Sequence, residues 1–283
     1  MANRAVDQKS VDCPELDRSI DLENLLKKHE IDPLNENTVL LVIDIQNDFC
    51  EPEGALSVND ATETIPEINY LTRMFRRVVF TQDYHCKNHL SFVSEHTGKQ
   101  AYDQIETEHG LQTLWPAHCV QSTRGADFHD SLFVPDHARV VRKGNRREVD
   151  SYSAFLENDL ETETGLREYL CMNESARRER EGDEFVEEID AKKRTLRILR
   201  KHDKEKNGGE NVAVFGSEKQ NLAIQNVVLV GVAYDYCVRS SSIDAAKFFQ
   251  NVFVIERCTK AVNLNKSVED ATTDMLDAGV HII

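Results

Sequence analysis

The chain has 283 residues, 40% hydrophobic and 30% charged. That is enough apolar mass to fill the core of one large α/β domain, and it excludes a wholly disordered polymer. The 34 basic residues stand against 50 acidic ones, a formal net charge of -16, so a nucleic acid or an anionic membrane would have to be held by a local basic patch against the global field, and neither is expected as a partner.

Seven cysteines, an odd number beside only 12 Gly and 6 Pro, argue for reduced thiols and against a disulfide-stapled secreted module. No apolar stretch reaches the roughly 18 residues that span a bilayer, and the start, Met1-Ala-Asn-Arg-Ala-Val-Asp7, lacks the apolar core of a secretory signal. A soluble cytoplasmic chain is expected, with the nucleus open to it as a second compartment.

In chain order, residues 1–37 form an extension with an amphipathic helix over Ile20 to Ile31. Leu22, Leu25 and Leu26 lie on one side of it, and it is expected to pack on the following domain. Apolar runs then predict strands at Thr38–Ile43, Arg77–Thr81, Ala138–Arg142, Val227–Val230, Asn251–Ile255 and Val280–Ile283. Helical patterns lie between them at Thr62–Arg76, Thr164–Leu170, Val238–Gln250 and Ser267–Ala278, several opened by Ser or Thr as caps. This alternation predicts one domain over residues 38–283: a doubly wound α/β fold with a mainly parallel six-stranded sheet and helices on both faces.

Residues 171–220 break the alternation. They hold 12 basic and 12 acidic residues with a Gly208-Gly209 break, which predicts an inserted solvated helix or hairpin, or a disordered loop. Within them Lys192–Lys201 is basic and amphipathic, the pattern of a docking helix for a protein partner.

Open parallel sheets place their sites at the carboxyl ends of the strands. Here the first strand runs into Asp44, the second into Asp83, the third into Lys143, and the fourth through Gly231-Val-Ala-Tyr-Asp-Tyr236 into Cys237 at a helix start. Alone, a strand-end Asp is a common cap, a Lys before Gly144 a common surface turn, and a Cys a common core thiol. Together a buried base, a cation and a thiol at a helix N-terminus are what nucleophilic thiolate catalysis requires. A thiol protease is disfavoured, because no His stands at a strand end to pair with Cys237. Asp83-Tyr-His85 offers two ligands from one extended segment and His118 a third, a set that leaves positions on a metal for water or substrate. His89, His96 and His109 are further candidates, better read as surface or supporting histidines.

Five segments carry a family likeness in order: Val42-Ile-Asp-Ile-Gln-Asn-Asp-Phe-Cys50, Thr81-Gln-Asp-Tyr-His-Cys-Lys-Asn-His-Leu-Ser-Phe92, Leu114-Trp-Pro-Ala-His-Cys-Val-Gln121 with Gly125-Ala-Asp-Phe-His129, Arg142-Lys-Gly144 with Asp150-Ser-Tyr-Ser-Ala-Phe155, and Gly231-Val-Ala-Tyr-Asp-Tyr-Cys-Val238. They resemble the motifs of the nicotinamidases within the isochorismatase-like (cysteine hydrolase) superfamily, over roughly residues 38–170 and 222–283.

The resemblance implies a catalytic triad of Asp44, Lys143 and Cys237 and a metal site of Asp83, His85 and His118. It also implies aromatic walls from Phe49, Trp115 and Tyr152, and a cis peptide at Val232–Ala233 with the amides of Ala233 and Cys237 as oxyanion hole. It further implies one divalent metal ion, zinc first and iron or manganese as alternatives, and hydrolysis of nicotinamide to nicotinate and ammonia through a cysteine thioester in NAD salvage. Some relatives take an extra ligand from the loop that here holds His89, which leaves the metal shell open there; the charged insertion lies outside the likeness. Two other readings stand beside this one: an amidohydrolase of the same superfamily acting on a carbamoyl or ureido compound, and a non-catalytic partner-binding protein using the insertion. A homo-oligomer is compatible with all three.

Overall fold

The computed structural model describes residues 14–136, 138–172, 186–190, 195–199 and 224–283. The chain divides into two units, residues 1–32 and 33–283. The first contributes helix α1 (Pro14–Lys28), so the helix expected in the N-terminal extension forms and starts earlier than its apolar spacing suggests.

The second unit is built on β1 (Thr38–Ile43), in which every residue is buried. A strand covered on both faces has no solvent side, which is why its sequence is an unbroken apolar run. After β1 come a short helix α2 (Asn47–Cys50), helix α3 (Ile65–Met74), β2 (Val78–Asp83), a hairpin of β3 (Gln104–Thr107) and β4 (Gly110–Thr113), β5 (Arg139–Lys143) and α4 (Leu166–Cys171). Strands β6 (Val186–Asp190) and β7 (Thr195–Leu199) pair antiparallel, and β8 (Asn226–Val232), α5 (Arg239–Phe248), β9 (Asn251–Lys260), α6 (Ser267–Asp277) and β10 (His281–Ile282) complete the chain.

The six-stranded sheet has the order β10-β9-β8-β1-β2-β5, and all its pairings are parallel. The expected doubly wound fold is therefore present. On one face Val39, Leu41, Ile43, Val227, Leu229 and Val254 pack with Leu166 and Leu170 of α4, Ala245 of α5, and Ala271 and Met275 of α6. Helix α3 lies against β1 and β9.

From β1 the chain winds outward through β2 to β5, then returns to β8 on the other side of β1 and winds out to β10. The switch between β1 and β8 opens a crevice at their carboxyl ends. There Ile43 pairs with Gly231, whose φ is +114° and on which a Cβ would come 2.1 Å from the Ile43 carbonyl oxygen, so only glycine lets the two strands pass.

Two expectations need correction. The docking helix over Lys192–Lys201 is not formed as such, because Thr195–Leu199 is a strand; Thr-Leu-Arg-Ile-Leu alternates with a period of two as well as it fits a helix. Its antiparallel pairing with Val186–Asp190 matches the hairpin alternative for this segment, and residues 173–185, 191–194 and 200–220 of the insertion lie outside the described residues. The serine cap expected at α6 is also absent, since the Ser267 hydroxyl donates to Asp235 instead. The β3–β4 hairpin has no counterpart in the sequence reading. No described helix is long and apolar enough to cross a membrane, and the six described cysteines are free thiols.

Candidate active site

The strand ends deliver their side chains to one place. Asp44 follows β1 in the left-handed region, φ +49°. That conformation is fixed by two contacts to one side chain: the Asp44 N–H donates to Thr81 Oγ1 (3.2 Å), and the Thr81 hydroxyl donates to Asp44 Oδ1 (2.6 Å). Asp83 and Lys143 end β2 and β5 directly opposite each other in register. Cys237 lies in a π-helical turn, Tyr234–Val238, which begins after the cis Val232–Ala233 peptide and is closed by the Tyr236 and Val238 N–H groups donating to the Ala233 carbonyl.

Lys143 is 1% exposed, and a buried ammonium persists only if it is paired and hydrogen-bonded. Its three donors go to Asp83 Oδ1, the Ser151 carbonyl (3.0 Å) and Cys237 Sγ (3.3 Å). Asp44 Oδ2 sits 2.9 Å from Nζ as an ion pair but takes no aligned hydrogen bond, which leaves a buried acceptor open beside the thiol.

Electrostatics follow from this packing. Burial would push the lysine down, but Asp44, Asp83 and Cys237 together hold it well above its usual value. Burial raises Asp44 despite the nearby ammonium, and burial likewise raises the Cys237 thiol, with Lys143 working the other way. The resting pair is a thiol and a carboxyl tuned toward accepting its proton.

A second cluster adjoins the first. Asp83 Oδ2 lies 3.7 Å from His85 Nε2 and 3.8 Å from His118 Nε2, and all three residues are buried. Each imidazole turns its Nδ1 to a backbone carbonyl, His85 to Gly144 (2.7 Å) and His118 to Pro116 (2.8 Å). Donation there fixes the tautomer and leaves both Nε2 lone pairs facing the carboxylate. Burial lowers both histidines, but Asp83 outweighs it at His85 and raises it, whereas burial and His85 together bring His118 to about 4. The cluster thus favours one positive charge among three donors. Gly144 makes the approach possible: its φ is +64°, and a Cβ there would come 2.5 Å from the His85 ring.

His89 is not a surface residue. It is buried, its ring centroid 4.3 Å from that of His85, with Nδ1 2.7 Å from the Ser91 hydroxyl and Nε2 3.1 Å from the Val149 carbonyl. With both nitrogens engaged it supports His85 from behind. His96 Nε2 lies 2.7 Å from the Leu90 carbonyl, and His109 stands beside Glu108 at the hairpin turn, both away from the cluster.

Phe49 packs against His118, ring centroids 5.5 Å apart, and Trp115 donates its indole N–H to the Tyr152 hydroxyl (3.0 Å). Tyr236 stands edge-on to Trp115 at 4.8 Å and 5.7 Å from Tyr152.

Comparison with known proteins shows the family. Residues 38–170 match the isochorismatase domain family. A nicotinamidase of Acinetobacter baylyi is 38% identical over 87% of this chain and 92% of its own length. The chain belongs to the nicotinamidase family. Among solved structures, a nicotinamidase/pyrazinamidase of Acinetobacter baumanii is 37% identical, with a TM-score of 0.68 over 88% of this chain and 96% of that one. A pyrazinamidase of Pyrococcus horikoshii in complex with zinc is 25% identical, with a TM-score of 0.57 over 87% and 98%.

The structure brings Asp44, Lys143 and Cys237 together, and Asp83, His85 and His118 beside them. Residues that the sequence analysis does not single out hold these in place. Gln46 donates to the Asp83 carbonyl (2.8 Å) and accepts from the Asp83 N–H (2.8 Å). Asp48 accepts from the Cys119 N–H (2.7 Å), next to His118. Asp235 accepts from Val262, Asn263 and Ser267, tying the Tyr234–Val238 turn to the segment that follows β9. Gln46, Asp48 and Asp235 all lie inside the quoted motifs, which was the available signal. Tyr236 also lay there, one residue before the thiol.

Proposed function

We propose that this chain hydrolyses nicotinamide to nicotinate and ammonia, in NAD salvage, with Cys237 as nucleophile. The observation that carries the reading is the buried cluster in which Lys143 bonds both Cys237 and Asp83 while Asp44 Oδ2 stays open beside the thiol. The activity named for the Acinetobacter relatives supports it.

In this reading the Cys237 proton passes to Asp44, and Lys143, 3.3 Å from Sγ, faces the thiolate so formed. The sulfur attacks the carboxamide carbon, and the backbone N–H groups of Ala233 and Cys237 donate to the developing oxyanion. Asp44 returns its proton to the departing ammonia. A water, deprotonated by Asp44, then cleaves the thioester, releases nicotinate and restores the thiol. Phe49, Trp115 and Tyr152, joined by Tyr236, form the walls for the flat ring, and its fixed placement lowers the entropic cost of attack.

Asp83, His85 and His118 fit one divalent cation: two oriented Nε2 lone pairs, one carboxylate oxygen and a preference for positive charge. Bound there, the ion supplies a Lewis acid for a pyridine ring nitrogen. Zinc is our assignment, in keeping with the zinc complex of the similar pyrazinamidase; the same donors accept iron or manganese.

The test is ammonia release by the purified protein from nicotinamide and from a ureido compound, with and without chelator. Release from nicotinamide alone, reduced by the chelator and restored by added metal, is expected. Release from the ureido compound alone would overturn the substrate, and indifference to the chelator would overturn the metal.

A further inference from the structure

The β3–β4 hairpin is solvent-facing except at one point. Along β3 and β4 every residue is exposed or half-buried apart from Gln112, which is 4% exposed. A glutamine turned inward from an otherwise polar ribbon must find partners to offset its desolvation, and these partners lie at the ring pocket.

Gln112 Nε2 donates to Asp150 Oδ2 (2.8 Å) and to the Thr113 carbonyl (2.8 Å), and it makes a third, shared contact with the Tyr152 hydroxyl at 3.1 Å. The same hydroxyl accepts the Trp115 indole N–H. Asp150 Oδ1 in turn accepts the Ser151 N–H (2.8 Å), so Gln112 grips the stretch 150–152 that supplies the aromatic wall.

We infer that Gln112 is a positioning residue for substrate binding, which acts through Tyr152 and Asp150 to hold the Trp115–Tyr152 wall at the spacing of the pyridine ring. This rests on the function proposed above. Lys143 has two further partners besides the 150–152 stretch and a third in Asp44, so losing Gln112 leaves the chemical step nearly intact and falls on binding.

Trp115 is the sole tryptophan of the chain, so intrinsic fluorescence reports this wall directly. The experiment measures steady-state ammonia release from nicotinamide, and quenching of tryptophan emission by nicotinate, for the parent, Gln112→Met, Gln112→Glu, Tyr152→Phe and the double variant Gln112→Met/Tyr152→Phe. Leu111→Ser, on the exposed side of the same hairpin, is the control.

Gln112→Met is expected to raise KM and the nicotinate midpoint by about five- to tenfold with kcat within about twofold, the size of one lost hydrogen bond. Gln112→Glu, which sets a carboxylate against Asp150, is expected to do at least as much. The double variant should be little worse than the worse single one, and Leu111→Ser should match the parent. A folded Gln112→Met with the parent's KM and quenching midpoint would overturn the assignment. So would loss of the folded state in both Gln112 variants, which would make the residue part of the scaffold. A parent silent toward nicotinamide contradicts the function and this role with it; an active parent with an indistinguishable Gln112→Met contradicts this role alone.

Discussion

Asp83 and Lys143 join the two halves of the site. The lysine, at the end of β5, donates to Asp83 Oδ1 at the end of β2, while Asp83 Oδ2 faces His85 and His118. One carboxylate therefore serves both the cation donors and the ammonium that faces the thiol. A change at Asp83 must reach both, and a change at His118 only one.

His118→Ala is accordingly expected to lose bound metal and raise KM with a modest effect on kcat, whereas Asp83→Asn should lose metal and also lower kcat by about tenfold or more as Lys143 loosens. Metal content by plasma mass spectrometry alongside steady-state kinetics makes the comparison. Full metal content in both variants would remove Asp83 and His118 from the ligand set.

Gly144 allows the His85 ring to sit over its backbone. Gly144→Ala places a methyl 2.5 Å from that ring on a residue with φ +64°, and the expected cost is about 1–3 kcal/mol together with weaker metal retention. Thermal unfolding with and without added metal measures it. An unchanged Tm and metal content would mean that the His85–Gly144 contact does not shape the site.

In the proposed mechanism Asp44 must be ionised to take the thiol proton, and burial raises its pKa. Activity is therefore lost as pH falls through that raised value, so the acid limb of kcat lies above the ordinary aspartate range. The Thr81 hydroxyl stabilises the ionised form, hence Thr81→Val should move the limb further up and Thr81→Ser restore it. A limb that stays in place or moves down in Thr81→Val would assign it to another group.

The balanced charge of the insertion and its few apolar residues give it little core of its own. Replacing residues 174–218 by about ten Gly/Ser residues, with a reach on the order of 17 Å, should leave nicotinamide hydrolysis largely intact, because Cys237 is held by β8 and its turn. A folded but inactive product would make the insertion part of the site.

The residues legible in the sequence were those that end apolar runs. Asp44 is the first polar side chain after β1, and Asp83 and Lys143 are the last residues of β2 and β5, where the parallel sheet brings strand ends together. The hairpin left no trace because β3 and β4 are polar and largely exposed, so no alternation marks them. β9 was read short because exposed Glu256 and Arg257 interrupt its apolar run. Contacts such as Gln46 with the Asp83 backbone, or Gln112 with Tyr152, depend on register between distant segments, which composition and periodicity do not encode.

The most direct measurement is ammonia release from nicotinamide by the parent and by Cys237→Ala, each with its metal content and circular dichroism recorded. The parent should turn nicotinamide over, and Cys237→Ala, folded and metal-loaded like the parent, should lose activity by about a thousandfold or more, because among the described residues no other thiol or hydroxyl is hydrogen-bonded to Lys143. Activity in Cys237→Ala within tenfold of the parent would contradict the cysteine mechanism.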